Sequence, residues 1–203
     1  MTTWLFNDPE NMRYFALTPM ISLPIGTYDA SRAMNIGENR YKATLSAGYI
    51  DRFLYGQYGE LFAEFSLEFA YFWENSNAKG YILTQKPTYA LTSYLRYRPI
   101  PIIGVFRGYQ INGGGETSLS GIPQNDTQNT QRWMIGGALF TFGTQIMIRY
   151  SQDIKIDNGF KTNDQIILRF QWILGTSKNH IHSNLKFAHF HFLTFLGLIS
   201  EES

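Results

Sequence analysis

Cysteine is absent from this chain, and histidine is absent from everything between residues 13 and 174. No Ser–His or Cys–His nucleophile can be assembled in that region, which excludes a His-dependent hydrolase or protease there. The lack of thiols suits an oxidising compartment, but it weighs little by itself. Charge is also scarce. Charged residues make up 16% of the chain, against about 25% in an ordinary globular domain. The net charge is only +1, so nothing argues for nucleic acid as a partner. No run reaches the roughly 18 apolar residues of a transmembrane helix. The opening Met1-Thr-Thr-Trp-Leu-Phe-Asn-Asp-Pro9 has no basic segment followed by an apolar one, so it is not a signal peptide. Residues 1–12 are expected to be irregular, and for an exported protein the front of the chain would be missing.

Aromatic residues are plentiful, at 16%. They are organised around Leu61 to Trp73. Taken with period two, Ala63, Phe65, Leu67, Phe69, Tyr71 and Trp73 share one face, and Glu64, Ser66 and Glu68 share the other. Only a strand alternates side chains in this way. A soluble sandwich strand fits the pattern, and so does a strand between lipid and a polar lumen.

The same alternation predicts eight strands: residues 13–23, interrupted by Pro19, then 40–50, 61–73, 88–98, 102–110, 132–142, 145–153 and 165–174. Proline removes a ladder donor, so the first of these should be an edge or irregular. The connections alternate long and short, as in outer-membrane barrels with long external loops and short periplasmic turns. Aromatic rings add a second signal. Tyr41 and Tyr49, Phe65 and Trp73, and Tyr89 and Tyr97 are each eight residues apart on one face. Eight residues span about 26 Å, or about 20 Å vertically after a tilt of about 40°, close to the apolar band between aromatic girdles. With Trp172 these rings are the expected membrane girdle. The fold class is therefore all-β, an antiparallel up-and-down transmembrane barrel of about eight strands, with residues 13–174 as the barrel.

Specific motifs strengthen this reading. Leu17-Thr-Pro-Met-Ile-Ser-Leu-Pro-Ile-Gly-Thr-Tyr-Asp29 and Asn35-Ile-Gly-Glu-Asn-Arg-Tyr-Lys42 resemble the front of one family. Gly114-Gly-Glu-Thr117, Gly121-Ile-Pro-Gln-Asn-Asp126 and Tyr150-Ser-Gln-Asp-Ile-Lys-Ile-Asp-Asn-Gly-Phe160 are similar to its later motifs. It is the outer-membrane family named for the meta-pathway of phenol degradation, whose members are often called transporters. The resemblance covers about residues 13–174. It implies an outer-membrane barrel, with small aromatic or apolar compounds as candidate solutes and the lipid bilayer as partner. It also implies truncation in front.

On the polar face, Lys42, Glu64, Glu68, Arg96, Arg98, Arg107, Arg149 and Arg169 are predicted to point inward, and Glu116 in the longest loop is a candidate gate. Glu64 and Glu68 lie about 13 Å apart along the strand, too far for an acid/base couple on one strand. No cofactor motif appears, and Gly113-Gly114-Gly115 reads as a loop tip rather than a phosphate loop. The inward arginines and glutamates can pair and fill the lumen, or form a basic constriction selecting anions. Glu64 and Glu68 precede the strand carrying Arg96, so pairing between adjacent strands is expected. The function expected is passive uptake of small molecules, not catalysis. A plugged structural or binding barrel is the alternative, and a soluble lipocalin-like carrier with inverted faces is a further one. Residues 175–203 lack alternation and hold all four histidines, His180, His182, His189 and His191. A His-x-His metal site is weighed there against a non-homologous tail, and the tail is preferred.

Overall fold

A computed structural model describes residues 2–32, 35–141, 144–159 and 161–172. Its elements in chain order are β1 (Trp4–Asp8), β2 (Arg13–Ser22), β3 (Lys42–Gly56), β4 (Gly59–Phe72), β5 (Asn75–Ala78), β6 (Tyr81–Gln85), β7 (Thr88–Ile100), β8 (Ile103–Gly114), β9 (Thr117–Leu119), β10 (Ile122–Pro123), β11 (Gln128–Thr141), β12 (Thr144–Asp157) and β13 (Gln165–Trp172). No helix occurs among the described residues.

Nine strands form one antiparallel sheet in the order β1-β2-β3-β4-β7-β8-β11-β12-β13. Every strand lies beside its predecessor once the four short loop strands are set aside, which is up-and-down topology. Those four make a second sheet, β10-β9-β6-β5, at the long-loop end. Two tight hairpins build it. Lys79 and Gly80, and Ser120 and Gly121, all have positive φ, as the central pair of a type I′ turn requires.

The structure departs from the sequence reading in several places. Residues 1–12 are not irregular throughout: Trp4–Asp8 pairs with Arg13–Leu17, so the large sheet has nine strands rather than eight. The strand is five residues long, too short for alternation to announce it, and Phe6 packs on Phe15 at 6.0 Å. Pro19 sits in β2 beyond the reach of β1, whose register stops at Leu17, so on that side its missing N–H leaves no partner unmatched, and it lies opposite Leu45 of β3. The connection expected at 51–59 is mostly strand, because β3 and β4 run on to Gly56 and Gly59. The long loops around 74–86 and 111–130 contain strands rather than irregular chain alone. The tail 175–203 and the histidine question both lie outside the described residues.

Cross-strand pairs share a face in an antiparallel sheet, so the registers assign every side chain. On the outer face Phe65 faces Tyr49 and Ser93, Leu67 faces Ala47 and Leu91, and Phe69 faces Leu45 and Tyr89. The same face continues through Val105, Gly137, Ile148 and Leu168, opposite one another in turn. Large apolar side chains on this face are widely exposed, Leu168 by 65% and Phe170 by 60%. Exposed apolar patches of such extent mark a surface that meets something other than water. The inner face carries a small apolar cluster of Phe106, Ala138 and Met147, with Tyr94 and Phe140 against it.

Candidate functional site: the inner face of the sheet

Strand alternation places β4 residues Glu60, Phe62, Glu64, Ser66 and Glu68 on the inner face, opposite Arg98, Arg96, Tyr94, Thr92 and Ala90 in the order set by the register. Glu60 holds two cations. Its Oε1 accepts from Arg52 Nη1 at 2.9 Å, and its Oε2 accepts from Arg98 Nε at 2.6 Å. The Arg98 guanidinium also lies 5.1 Å from the Phe62 ring centre, a cation–π contact. Deeper on the strand, Glu64 Oε1 lies 2.9 Å from Arg96 Nη2. The expected pairing of Glu64 with Arg96 is thus observed. Glu68 is on the same face, exposed, and forms no ion pair among the described residues.

A second group lies across β7, β11, β12 and β13. Tyr94 Oη donates to Met134 Sδ at 3.3 Å and accepts from Arg149 Nη1 at 3.4 Å. The Tyr94 ring stands edge-on to Phe106, with centroids 5.6 Å apart. It lies over Gly108, where any Cβ would overlap it, so the glycine makes room for the ring. Arg149 pairs in register with Ile167, which puts Arg169 diagonally beside it. Arg149 Nε is buried without a hydrogen-bond partner. Nearer the long loops, Arg132 clamps Asp153 through Nε at 2.6 Å and Nη2 at 3.2 Å. Asp153 is 2% exposed and also accepts from the Thr162 amide at 2.8 Å. Lys42 is inner and half-buried, with Nζ 5.5 Å from the Phe72 ring centre.

Cations outnumber carboxylates on this face. Lys42, Arg52, Arg96, Arg98, Arg132, Arg149 and Arg169 stand against Glu60, Glu64, Glu68 and Asp153. Glu60, Glu64 and Asp153 are each taken by the arginines named above, whereas Arg149 meets the Tyr94 hydroxyl and no carboxylate among the described residues.

One sequence expectation fails. Arg107 is not inward. Its register partners are Leu95 and Ile135, so it stands exposed on the outer face, while Gly104, Phe106 and Gly108 take the inner one. The inner positions Gly104, Phe106 and Gly108 are small or apolar because the neighbouring rings of Tyr94 and Phe140 press on the two glycines, which inverts the polarity expected for that part of β8; Gln110 and Asn112 farther on are inner and polar. Glu116, the candidate gate, forms an ion pair with Lys86, and Lys86 N–H donates to its carbonyl at 2.9 Å. Glu60, Arg52, Tyr94, Arg132 and Asp153 were missed. Arg52 and Glu60 lie in a segment read as a connection and Arg132 and Asp153 at strand ends, and a pairing of Glu60 with Arg98 becomes visible only when the hairpin is extended to Gly56 and Gly59.

The expected girdle residues Tyr41, Tyr49, Phe65, Trp73, Tyr89, Tyr97 and Trp172 all lie exposed, from 37% for Tyr49 to 71% for Trp172. Tyr41 and Trp73 meet at 6.3 Å, and Tyr71 and Trp73 at 5.1 Å, at the long-loop end. Trp172 stacks edge-on against Phe170 at 6.3 Å at the opposite end. The loop layer carries an open pocket of about 380 Å³ lined by Tyr28, Arg40, Asn75 and Tyr81 among others. Asn75 is 2% exposed and orders this layer: it accepts from Asn39 Nδ2 and Asn77 N–H, each at 3.0 Å, and donates to the Glu38 carbonyl at 3.0 Å.

An apolar outer face, a charged inner face, long loops at one end and short turns at the other define the wall of an outer-membrane β-barrel. The fold is shared with a solved outer membrane channel from Pseudomonas putida F1, with a TM-score of 0.72 and 23% identity over 83% of this chain. The chain spans 62% of that protein's length. A family model described as "Putative MetA-pathway of phenol degradation" matches residues 1–170, and the chain belongs to that family. No curated protein matches the sequence significantly.

Proposed function

We propose that this chain is part of an outer-membrane channel for passive uptake of small molecules, and that the inner face of its sheet lines the path. The observation that carries the reading is the division of the sheet: an outer face of exposed Leu, Ile, Phe and Tyr, backed by an inner face crossed by Arg–Glu and Arg–Asp pairs. A lipid-facing wall around a watery lumen requires that division. A soluble carrier for apolar ligands requires its inverse. The family, named for phenol degradation, and the fold shared with a channel support the same class and favour small aromatic solutes. The positive charge of Arg149, which meets no carboxylate among the described residues, favours solutes that are anionic or polarisable at one end, such as phenolates and aromatic carboxylates. The expected girdle of Tyr41, Tyr49, Phe65, Trp73, Tyr89, Tyr97 and Trp172 would hold the wall at its two interfaces.

A second reading has its own observation. Glu60 engages two arginines, Glu64 a third, and Phe106, Ala138 and Met147 pack beside them. These groups occupy space above the inner face, as a plugged structural barrel would need. The protein refolded into lipid vesicles should show heat-dependent migration on a denaturing gel. Planar-bilayer recording then separates the readings: a channel conducts and is blocked by small aromatic anions, whereas a folded protein with no conductance or solute flux favours the plugged form.

A further inference from the structure

Arg107 lies on the outer face in the middle of the sheet, flanked in register by Leu95 and Ile135 and along its own strand by Val105 and Tyr109. It makes no ion pair or hydrogen bond with another described residue. The acids of this face near the short turns are Asp8 and Asp51. They sit on β1 and β3 and are engaged by Asn11 and Arg13, with Arg13 Nε 2.9 Å from Asp51. Arg107 therefore has no carboxylate to meet from its own sheet. A guanidinium held in hydrocarbon costs about 2–4 kcal/mol at mid-depth and much less near an interface, so its depth decides what it does.

The structure gives that depth. Val105 lies opposite Tyr97, whose hydroxyl donates to the Tyr58 carbonyl in the short turn between β3 and β4. That tyrosine pair marks the short-turn rim. Two residues separate Arg107 from this level, about 7 Å along the strand and about 5 Å along the membrane normal at a tilt of about 40°. An arginine side chain reaches about this far, so its head can leave the apolar band while its stem covers Val105. Short turns in such barrels face the periplasm, where the leaflet in contact is phospholipid.

We propose that Arg107 is a lipid-binding site: its guanidinium takes the phosphate of a periplasmic-leaflet phospholipid. The planar fork suits a phosphate diester with two oxygens free, and the apolar flanks Leu95 and Ile135 suit the acyl chains. This rests on the outer-membrane reading above. The test uses the full chain in dodecyl maltoside, which contains no phosphate, titrated with phosphatidylglycerol and read by native mass spectrometry. Heat-dependent migration of the wild type checks the barrel reading first, and its absence would count against that reading rather than against the site. Wild type should retain the lipid, R107K should retain it more weakly because it lacks the fork, and R107L should retain it about tenfold more weakly than the wild type, with R107Q as the replacement if R107L does not fold. Equal retention by wild type and R107L overturns the proposal. Displacement of the lipid by equimolar inorganic phosphate also overturns it, because the site would then bind a free anion rather than a lipid.

Discussion

Replacing Arg96 with methionine removes the cation facing Glu64 and keeps much of the apolar volume. At the observed 2.9 Å contact and an effective dielectric of about 20, the direct attraction is about 6 kcal/mol. Taking two ions partly out of water offsets most of that. The side chains remain 29% and 15% exposed, so solvent screens what is left. A coupling of about 1–3 kcal/mol should survive. R96M alone leaves a half-buried carboxylate without its partner and should cost about 2–4 kcal/mol. R96M combined with E64L removes both charges and should cost less than R96M alone. Urea unfolding in vesicles, followed by tryptophan fluorescence, measures all four corners of the cycle. If the two single changes add to within about 0.5 kcal/mol, the pair is not coupled and the charged lining is not a stabilised network.

The other predictions follow from the same two faces. L67R puts a charge in the apolar outer row and should destabilise the inserted protein by about 2–4 kcal/mol, while S66R, one residue away on the inner face, should fold nearly as well; vesicle refolding yields compare them. G108V drives a side chain into the Tyr94 ring and should cost about 1–3 kcal/mol, read as a lowered urea midpoint. R149Q should shift the reversal potential in a salt gradient toward cations, since it removes part of the positive surplus. In the loop layer, burial raises the Asp126 carboxyl, but bonds from the Thr117 hydroxyl and amide, at 2.6 and 2.7 Å, more than offset it and hold it below its ordinary 3.8. Its contribution to loop order is therefore complete above pH 3.8 and lost as the pH falls through the lowered value. Hydrogen exchange at the Thr117 amide should rise over that range in the wild type and show no such step in D126N.

Alternation made most of the wall legible from sequence. Tyr41, Leu45, Tyr49, Phe65, Phe69, Tyr89 and Tyr97 are outward because a strand face in lipid tolerates little else, and that pressure writes a period of two into the chain. It failed where the local physics differs. In β8 the inner side must accept the rings of Tyr94 and Phe140, so glycine and phenylalanine stand inside and Arg107 stands outside. Arg52, Arg132 and Asp153 keep the parity of their strands, since the bulged residues Phe53 and Ile154 come after Arg52 and after Asp153; they were missed because they fall in or beside segments read as turns or as the ends of strands. The loop strands β5, β6, β9 and β10 are only two to five residues long, too short for alternation to announce them. They exist because I′ turns and contacts such as Lys86 with Glu116 and Asn75 with Glu38 tie one loop to another, and such long-range pairing has no local signature. The Glu64–Arg96 pair was predictable because both residues lie in regular, unbulged strand.

The absence of cysteine makes the central claim directly measurable. Single cysteines introduced in turn at Phe65, Ser66, Leu67, Glu68 and Phe69 can be labelled in vesicles and probed with a lipid-confined quencher and a water-soluble thiol reagent. Labels at 65, 67 and 69 should be quenched by the lipid probe, and thiols at 66 and 68 should react from water, with a strict period of two. Accessibility that does not alternate, or that alternates with water at 65, 67 and 69, would contradict a wall with lipid on its aromatic face and solute on its charged one.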